Sequence, residues 1–524
     1  MTVITNENFK KKFPEIKKSL ENAKFVGIDL EFSALYPLRN YSPSLFDTPT
    51  ERYIKLRRNL DQVVPVQIGL TAFSFDPDKN NYHGNVYNFY IIPASFTTIN
   101  RSFYFQSDTL NFLKLHGFDF NKYVYSGIPF INKDQETEFR KKLKTNELMS
   151  SQASCRNELE EIIEKEGETV RNWYNKAKDG DKLSIPKLYE SNKYNIEMLY
   201  FIHKNFRTRF KNIWTNVEND QFVIQKVTSG EYKILDSESN LEENLVIDLL
   251  GFTNVFRILT TLKKPIVGHN LLQDILLMIN SFETSLPHSY SSFKDLAISL
   301  FPTIFDTKVI SYEMRSFVSG RKTVYFKNGS GRHLALNSPA IEIMGETSYG
   351  KFHEAGWDSF CAGYIFIRLA HLNVYNHYPK SKKFVSGELI AGLSKWKNCV
   401  NVIRGAVSSI KIDGEDPNST RPPYLVIESV KNGSLNIPQL TSLLSSFGFV
   451  EVRKFPHHNR RALIAVDNFG NARRILNNLK SHNEFQIRQY SALKHSPVVR
   501  AFLLSGITVS GALLIWLAQS IMKK

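Results

Sequence analysis

Five side chains spread along the chain are of the types that phosphodiester hydrolysis needs. Asp29 and Glu31 sit two apart in the apolar run FVGIDLEF, Asp274 follows VGHN, and His353 and Asp358 share HEAGWD. A strand over FVGIDLEF points both acids to one face, where paired carboxylates are costly unless a cation or hydrogen bonds offset them. Asp274 and Asp358 fall in the first turns of expected helices, Asp274 at the C-terminal sheet edge where α/β ligand sites collect. Carboxylates in the order Asp-x-Glu, Asp, Asp can hold two Mg²⁺ ions, with Mn²⁺ as a substitute. Two such ions clamp the attacking and leaving oxygens of a phosphodiester. The imidazole of His353 suits a base for the attacking water at neutral pH. Each residue alone has an ordinary alternative: acids on an edge strand in water, first-turn acids serving the helix dipole, a structural histidine. Order, spacing and sheet placement together favour the metal reading.

These residues need a scaffold that brings remote segments together. FVGIDLEF, VPVQIGLTAF and NFYIIP read as early, antiparallel strands, with a helix in FDTPTERYIKLRRNL and a helical stretch from LNFLKLHG onward. KPIVGHN and LLQDILLMINSF form a strand–loop–helix unit, TIFDTKVI a second short strand, and HEAGWDSFCAGYIFIRLA an apolar helix. This pattern predicts an α/β domain with one mixed sheet, made from residues 1–135 and 246–415. Residues 136–245, rich in Lys, Glu and Asn, read as a helical insertion with a modest core. Residues 422–490 follow a βαββαβ order, the scaffold of an RNA-recognition motif. Its strands LVIESV and RALIAVD lack stacking aromatics, so packing or dimer contacts are expected of it rather than base reading. His269 and Asn270 are expected to shape the turn before Asp274, with Asn270 as an N-cap.

Lys+Arg 67 against Asp+Glu 51 leaves a net charge of +16, which suits a polyanionic partner or an anionic membrane surface. Three widely spaced cysteines give neither a disulfide framework nor a zinc site and fit a reducing compartment. Near the C-terminus, AFLLSGITVSGALLIWLAQSIM carries no charge and is flanked by basic residues. We expect a transmembrane tail anchor over residues 499–522, with everything upstream facing the cytosol. Its moderate hydrophobicity and basic flanks suit the mitochondrial outer membrane, with the endoplasmic reticulum as the alternative.

The strings GIDLEFSAL, FDTPTERYIKLRR, GFDFNKYVYSGIPF, VGHNLLQDILLM, FPTIFDTK and HEAGWD together resemble the poly(A)-specific ribonuclease family of DEDD exonucleases, especially its membrane-anchored branch. The resemblance covers nearly all of residues 1–490. It implies an RNase H-like fold and a Mg²⁺-dependent 3′→5′ exoribonuclease of DEDDh type that releases 5′-nucleotides. Asp29, Glu31, Asp274 and Asp358 would be the metal ligands. His353, in a His-x4-Asp relation to Asp358, would be the general base, and Glu354 stands where the tyrosine subclass carries Tyr. Phe32 and Leu35 would press on terminal bases and Lys308 would contact a phosphate. The implied partners are single-stranded RNA 3′ ends, PIWI proteins loaded with precursor piRNA, a Tudor-domain mitochondrial adaptor, and a second copy of the chain. The insertion departs from the family in lacking its Arg-x3-His signature. A deadenylase of messenger tails and a catalytically silent, membrane-anchored RNA-binding adaptor are the competing readings.

Overall fold

The computed structural model describes residues 1–96, 99–145, 156–188, 196–219, 221–315, 337–345, 350–375, 377–378, 383–419, 421–430, 433–455, 458–480 and 482–491. Contacts divide the chain into two units. The first comprises residues 1–41, 54–401 and 411–415; the second comprises 42–53, 402–410 and the described residues from 416 onward.

The first unit is built on one mixed sheet, and its strands alternate with helices. They are β1 (Thr2–Ile4), β2 (Phe25–Phe32), β3 (Pro65–Asp76), β4 (Asn81–Pro93) and β5 (Ile128–Phe130). In the insertion come β6 (Lys182–Ile185), β7 (Ile213–Glu218) and β8 (Gln221–Lys226), then β9 (Ile266–Gly268), β10 (Ile304–Asp306) and β11 (Ala340–Met344). The main path runs β1-β4-β3-β2-β9-β10. β3 runs antiparallel to both β2 and β4, whereas β2–β9 and β9–β10 are parallel. β2 therefore lies inside the sheet, which removes the edge-strand explanation of Asp29 and Glu31. The outer edge of β4 takes β11, β1 and β5 end to end, each in parallel. These three are too short for hydrophobic periodicity to announce them. TIFDTKVI also differs from its reading, because the strand stops at Asp306 and Thr307–Glu313 is helical.

The helix Ala355–Tyr375 packs on the sheet through Phe360 and Phe366, against Phe25, Phe73 and Tyr82. Two glycines permit this approach: a Cβ at Gly69 would collide with the Ala355 carbonyl oxygen, and one at Gly27 with that of Ser359. The Thr71 and Ser359 hydroxyls then meet at 2.7 Å.

The insertion is not purely helical. β6, β8 and β7 form a three-stranded antiparallel sheet beside the helices Arg156–Tyr174 and Ile196–Arg209. The segments IWTNVE and QFVIQK are rich in β-branched and aromatic residues, and Asn219, at φ +50°, turns the chain between them. Phe201, Phe206, Phe222 and Ile224 share a core with Phe96, Ile131 and Leu249, from either side of the 136–245 stretch.

In the second unit the strands Leu425–Ser429, Val450–Phe455, His458–Val466 and Phe485–Gln489 form an antiparallel sheet, with helices Ile437–Ser445 and Phe469–Asn478 between them in a βαββαβ order. One face packs Leu425, Ile427, Ile464 and Ile487 with Leu440, Leu444 and Ile475 of the helices. The segment 42–53 packs on part of the other face. There Leu45 and Phe46 bury with Ala465, Arg453 lies over the Phe46 ring at 4.4 Å, and Glu451 accepts from the Leu45 N–H at 3.1 Å. The expected span at 499–522 lies outside the described residues, among which no single helix is long and apolar enough to cross a membrane.

Candidate metal centre

The two-residue period of β2 places Asp29 and Glu31 on one face, with Gly69 and Gln67 of β3 directly opposite them. Asp274, in the first turn of Leu272–Met278 after β9, is buried and accepts from the Leu30 N–H at 3.1 Å. That bond ties the helix to β2 between its two acids. Asp358 arrives from above. Its helix begins with the Ala355 N–H on the Gln67 Oε1 at 2.9 Å and the Gly356 N–H on the Asn88 Oδ1 at 3.0 Å. Asn88 also donates to Glu354 at 3.1 Å. Two buried sheet amides thus satisfy helix-start donors that would otherwise be orphaned, and hold the first turn over Asp29 and Glu31.

Glu31, His353 and Asp358 each offer a ligand atom, and these atoms lie within 4.8 Å of one another. Asp29 and Asp274 adjoin this trio, near enough for their charges to act on it. Burial, then the charges of Asp274, Glu31 and Asp358, push the Asp29 carboxyl well above its usual range. Glu31 is pushed up to about 8 by burial, then by Asp358 and Asp274. Asp274 is raised to about 7, chiefly by burial. Burial raises Asp358 too, opposed by the His353 N–H, which donates to its Oδ2 at 2.8 Å. No lysine or arginine is among the described charges acting on these four acids. A crowded all-oxygen donor set of this kind fits hard divalent cations such as Mg²⁺ or Mn²⁺.

The residues that follow the acids along the chain divide into those exposed to solvent and those that hold loops. Phe32 ends β2 half-buried, and Leu35 just beyond it is 47% exposed. Their loop is gripped by Gln106, whose Oε1 accepts from the Leu35 and Tyr36 N–H groups at 2.8 and 3.2 Å and whose Nε2 donates to the Tyr36 carbonyl at 3.2 Å. Lys308 is exposed, two residues past Asp306, and its charge acts on His269. His269 contacts the Thr307 hydroxyl at 3.0 Å. Asn270, at φ +68°, does not cap the helix; its side chain accepts from Asn401 at 2.7 Å.

Asp306 was not singled out by the sequence reading. Fully buried, it accepts from the N–H groups of Asn270, Leu271, Lys308 and Asn401 at 2.8–3.1 Å. It is thus a loop organiser for the segment that presents Asp274. His116 was also missed. Its ring lies 4.1 Å from that of His353, and Phe112 meets both rings, at 4.5 and 4.9 Å. A fifth acid at a strand end was a usable signal for Asp306; nothing in type or spacing marks His116.

Residues 4–366 match the model of the CAF1 family ribonucleases. The chain is 34% identical to the pre-piRNA 3′-exonuclease trimmer of Bombyx mori, over 98% of both chains. It is 30% identical to the poly(A)-specific ribonuclease PNLDC1 of Homo sapiens, over 94% of this chain and 96% of that one. To the poly(A)-specific ribonuclease PARN of Xenopus laevis it is 26% identical, over 86% and 74%. Matched over most of its length by the family and over nearly all of it by these relatives, the chain belongs to the CAF1 family of ribonucleases and is a 3′→5′ exoribonuclease.

Proposed function

We propose that this 3′→5′ exoribonuclease shortens the 3′ ends of PIWI-bound precursor piRNAs at a membrane surface. Asp29, Glu31, Asp274 and Asp358 hold two divalent ions, and His353 is the general base. The observation that carries the chemistry is the meeting of four carboxylates at one sheet edge, with no described lysine or arginine acting on them. The substrate reading draws its support from the silkworm trimmer, which matches 98% of the chain, well past the catalytic family match ending at residue 366.

When bound, the ions supply Lewis-acid activation of the attacking water and neutralise charge on the leaving 3′ oxygen. The Leu30 N–H fixes the direction of Asp274, and the docked helix start fixes that of Asp358. A ring nitrogen of His353 takes the proton of the attacking water and, being exposed, passes it to solvent. Phe32 and Leu35 offer apolar surface to the terminal bases, and Lys308 offers a cation to a phosphate. The uncharged run at 501–522 supports anchoring by the segment 499–522, in the mitochondrial outer membrane by its basic flanks. There a Tudor-domain adaptor presents the loaded PIWI protein, whose footprint on the RNA stops the enzyme and sets product length. The second unit, an RNA-recognition-motif scaffold without stacking aromatics on LVIESV and RALIAVD and with part of its open face taken by residues 42–53, packs rather than reads bases.

The test compares full-length protein with its Asp358→Ala variant in Mg²⁺ or EDTA, on PIWI-bound precursor, the same RNA naked, and oligo(A). Trimming of bound precursor to a fixed length, absent in the variant and in EDTA, is expected. Equal digestion of naked RNA to short ends refutes the substrate assignment, and a preference for oligo(A) points to a deadenylase instead. Deleting residues 499–522 is expected to release the protein from mitochondria.

A further inference from the structure

We infer that His116, together with Phe112, is a positioning residue that fixes the imidazole of His353 over the Glu31–Asp358 pair. The inference rests on His353 acting as the base. His353 is exposed and sits at φ +65°, a left-handed conformation that a residue with a Cβ holds only where its surroundings impose it. The bond from its N–H to Asp358 fixes the backbone but leaves the side-chain torsions free. Ring contacts supply what that bond cannot. His116 lies against His353 with centroids 4.1 Å apart at 54°, while Phe112 meets the same imidazole edge-on at 4.9 Å and 75°. Phe112 and His116 touch each other at 4.5 Å, so the three rings close a triangle.

The platform is itself anchored. The helix Ser107–Leu115 buries Leu113, whereas Phe112 remains 37% exposed and so does not serve the core. Directly after His116, Gly117 at φ +77° reverses the chain, and the Phe118 N–H returns to the Leu113 carbonyl at 2.9 Å. Edge-on and tilted pairs of this kind favour one relative orientation of the rings. A base displaced by about 1 Å loses up to about 10²-fold in rate, so the ring plane of His353 matters to turnover.

The experiment measures kcat and KM on a short single-stranded RNA with Mg²⁺, for full-length His116→Ala, His116→Phe, His353→Ala and the His116→Ala/His353→Ala double variant. Circular dichroism melts check that each is folded. A fall in kcat of about tenfold for His116→Ala at nearly unchanged KM is expected, with most of it regained in His116→Phe, which keeps a flat ring. Added to His353→Ala, the His116 change should cost nothing more, because its whole effect passes through the missing imidazole. A loss confined to KM, a loss that persists in the His353→Ala background, or equal losses in His116→Ala and His116→Phe overturns the inference. Unaltered kcat in His116→Ala sinks it alone; unaltered kcat in His353→Ala sinks the base assignment as well.

Discussion

Glu31 and Glu428 are both strand glutamates, and the chain treats them in opposite ways. Glu428, on the second unit's sheet, accepts from Arg461 at 2.8 and 2.9 Å and from Arg488 at 2.6 Å, and these arginines hold its carboxyl below the usual range. Glu31, in the first unit's sheet, stands among Asp29, Asp274 and Asp358, and is pushed up to about 8 by burial and like charge. Glu136, in the first unit as well, is paired with Arg140 and Arg257. Among the described residues, arginines thus pair Glu428 and Glu136, whereas neither lysine nor arginine acts on the four acids, and His353 and His116 bear on Asp358. A carboxylate with its own arginines is part of the architecture; a cluster left without them is a site for a cation from solution.

Neutralising one member of each group is the hardest test of that contrast. Asp29→Asn is expected to lower the rate on single-stranded RNA by more than about 10²-fold and, without metal, to leave melting unchanged or raised, since a repelling charge is gone. Glu428→Gln should leave the rate within about twofold and lower the melting temperature, because two arginines lose their acceptor. Comparable loss of rate in both variants would erase the distinction.

Proton linkage sharpens it, because the two glutamates shift in opposite directions. A carboxyl raised by folding binds its proton more tightly in the native state. Its stabilisation is complete below the unfolded value and is lost as pH rises through the folded one. For Glu31 that window runs from about 4.5 to about 8, so the metal-free protein loses stability across it while divalent affinity climbs. Glu428, depressed by its arginines, contributes above its unfolded value of 4.5 and ceases to do so as pH falls through its lower folded value. Melts in EDTA, paired with Mn²⁺ titrations by calorimetry over the same pH range, check both. Divalent affinity that does not change with pH would mean the acids are already ionised, against the assigned crowding.

The acids were legible in the sequence because their information is periodic and ordered. Two residues apart on a strand means one face, and an acid in a first helical turn after a strand means the C-terminal sheet edge. What positions them was not, because it is carried by contacts without a local pattern. Gln67 and Asn88 look like ordinary polar strand residues, yet their amides cap the helix of Asp358, and only the pairing of β3 with β4 brings them side by side. Asp306 reads as the end of a strand, and its four backbone donors come from segments about 35 and 95 residues away as well as from its own turn. Asn270 was expected to cap a helix, but the proximity of Asn401 offers its carbonyl oxygen another donor. The sheet of the insertion was hidden because its strands are short and interleaved with strongly amphipathic helices.

Apolar side chains follow the same contrast as the charges. Phe46 is 9% exposed against the second unit's sheet, whereas Leu35, four residues past Glu31, is left 47% exposed. Phe46→Ala should cost about 3 kcal/mol of stability, as for other buried phenylalanines, with turnover per folded molecule unaltered, as read by denaturant melts and RNA decay. The smallest effect is expected at Gln106. Gln106→Ala frees the Leu35 and Tyr36 N–H groups to water and loosens the loop, raising KM about fivefold, or about 1 kcal/mol, at nearly constant kcat. Gln106→Glu keeps the acceptor for both N–H groups but turns a charged acceptor in place of the donor toward the Tyr36 carbonyl, so its KM should rise above that of the wild type while staying below that of Gln106→Ala. If the two variants are equally impaired, the loop is held by that single donated bond, and the exposure of Leu35 is not maintained by the paired acceptor contacts.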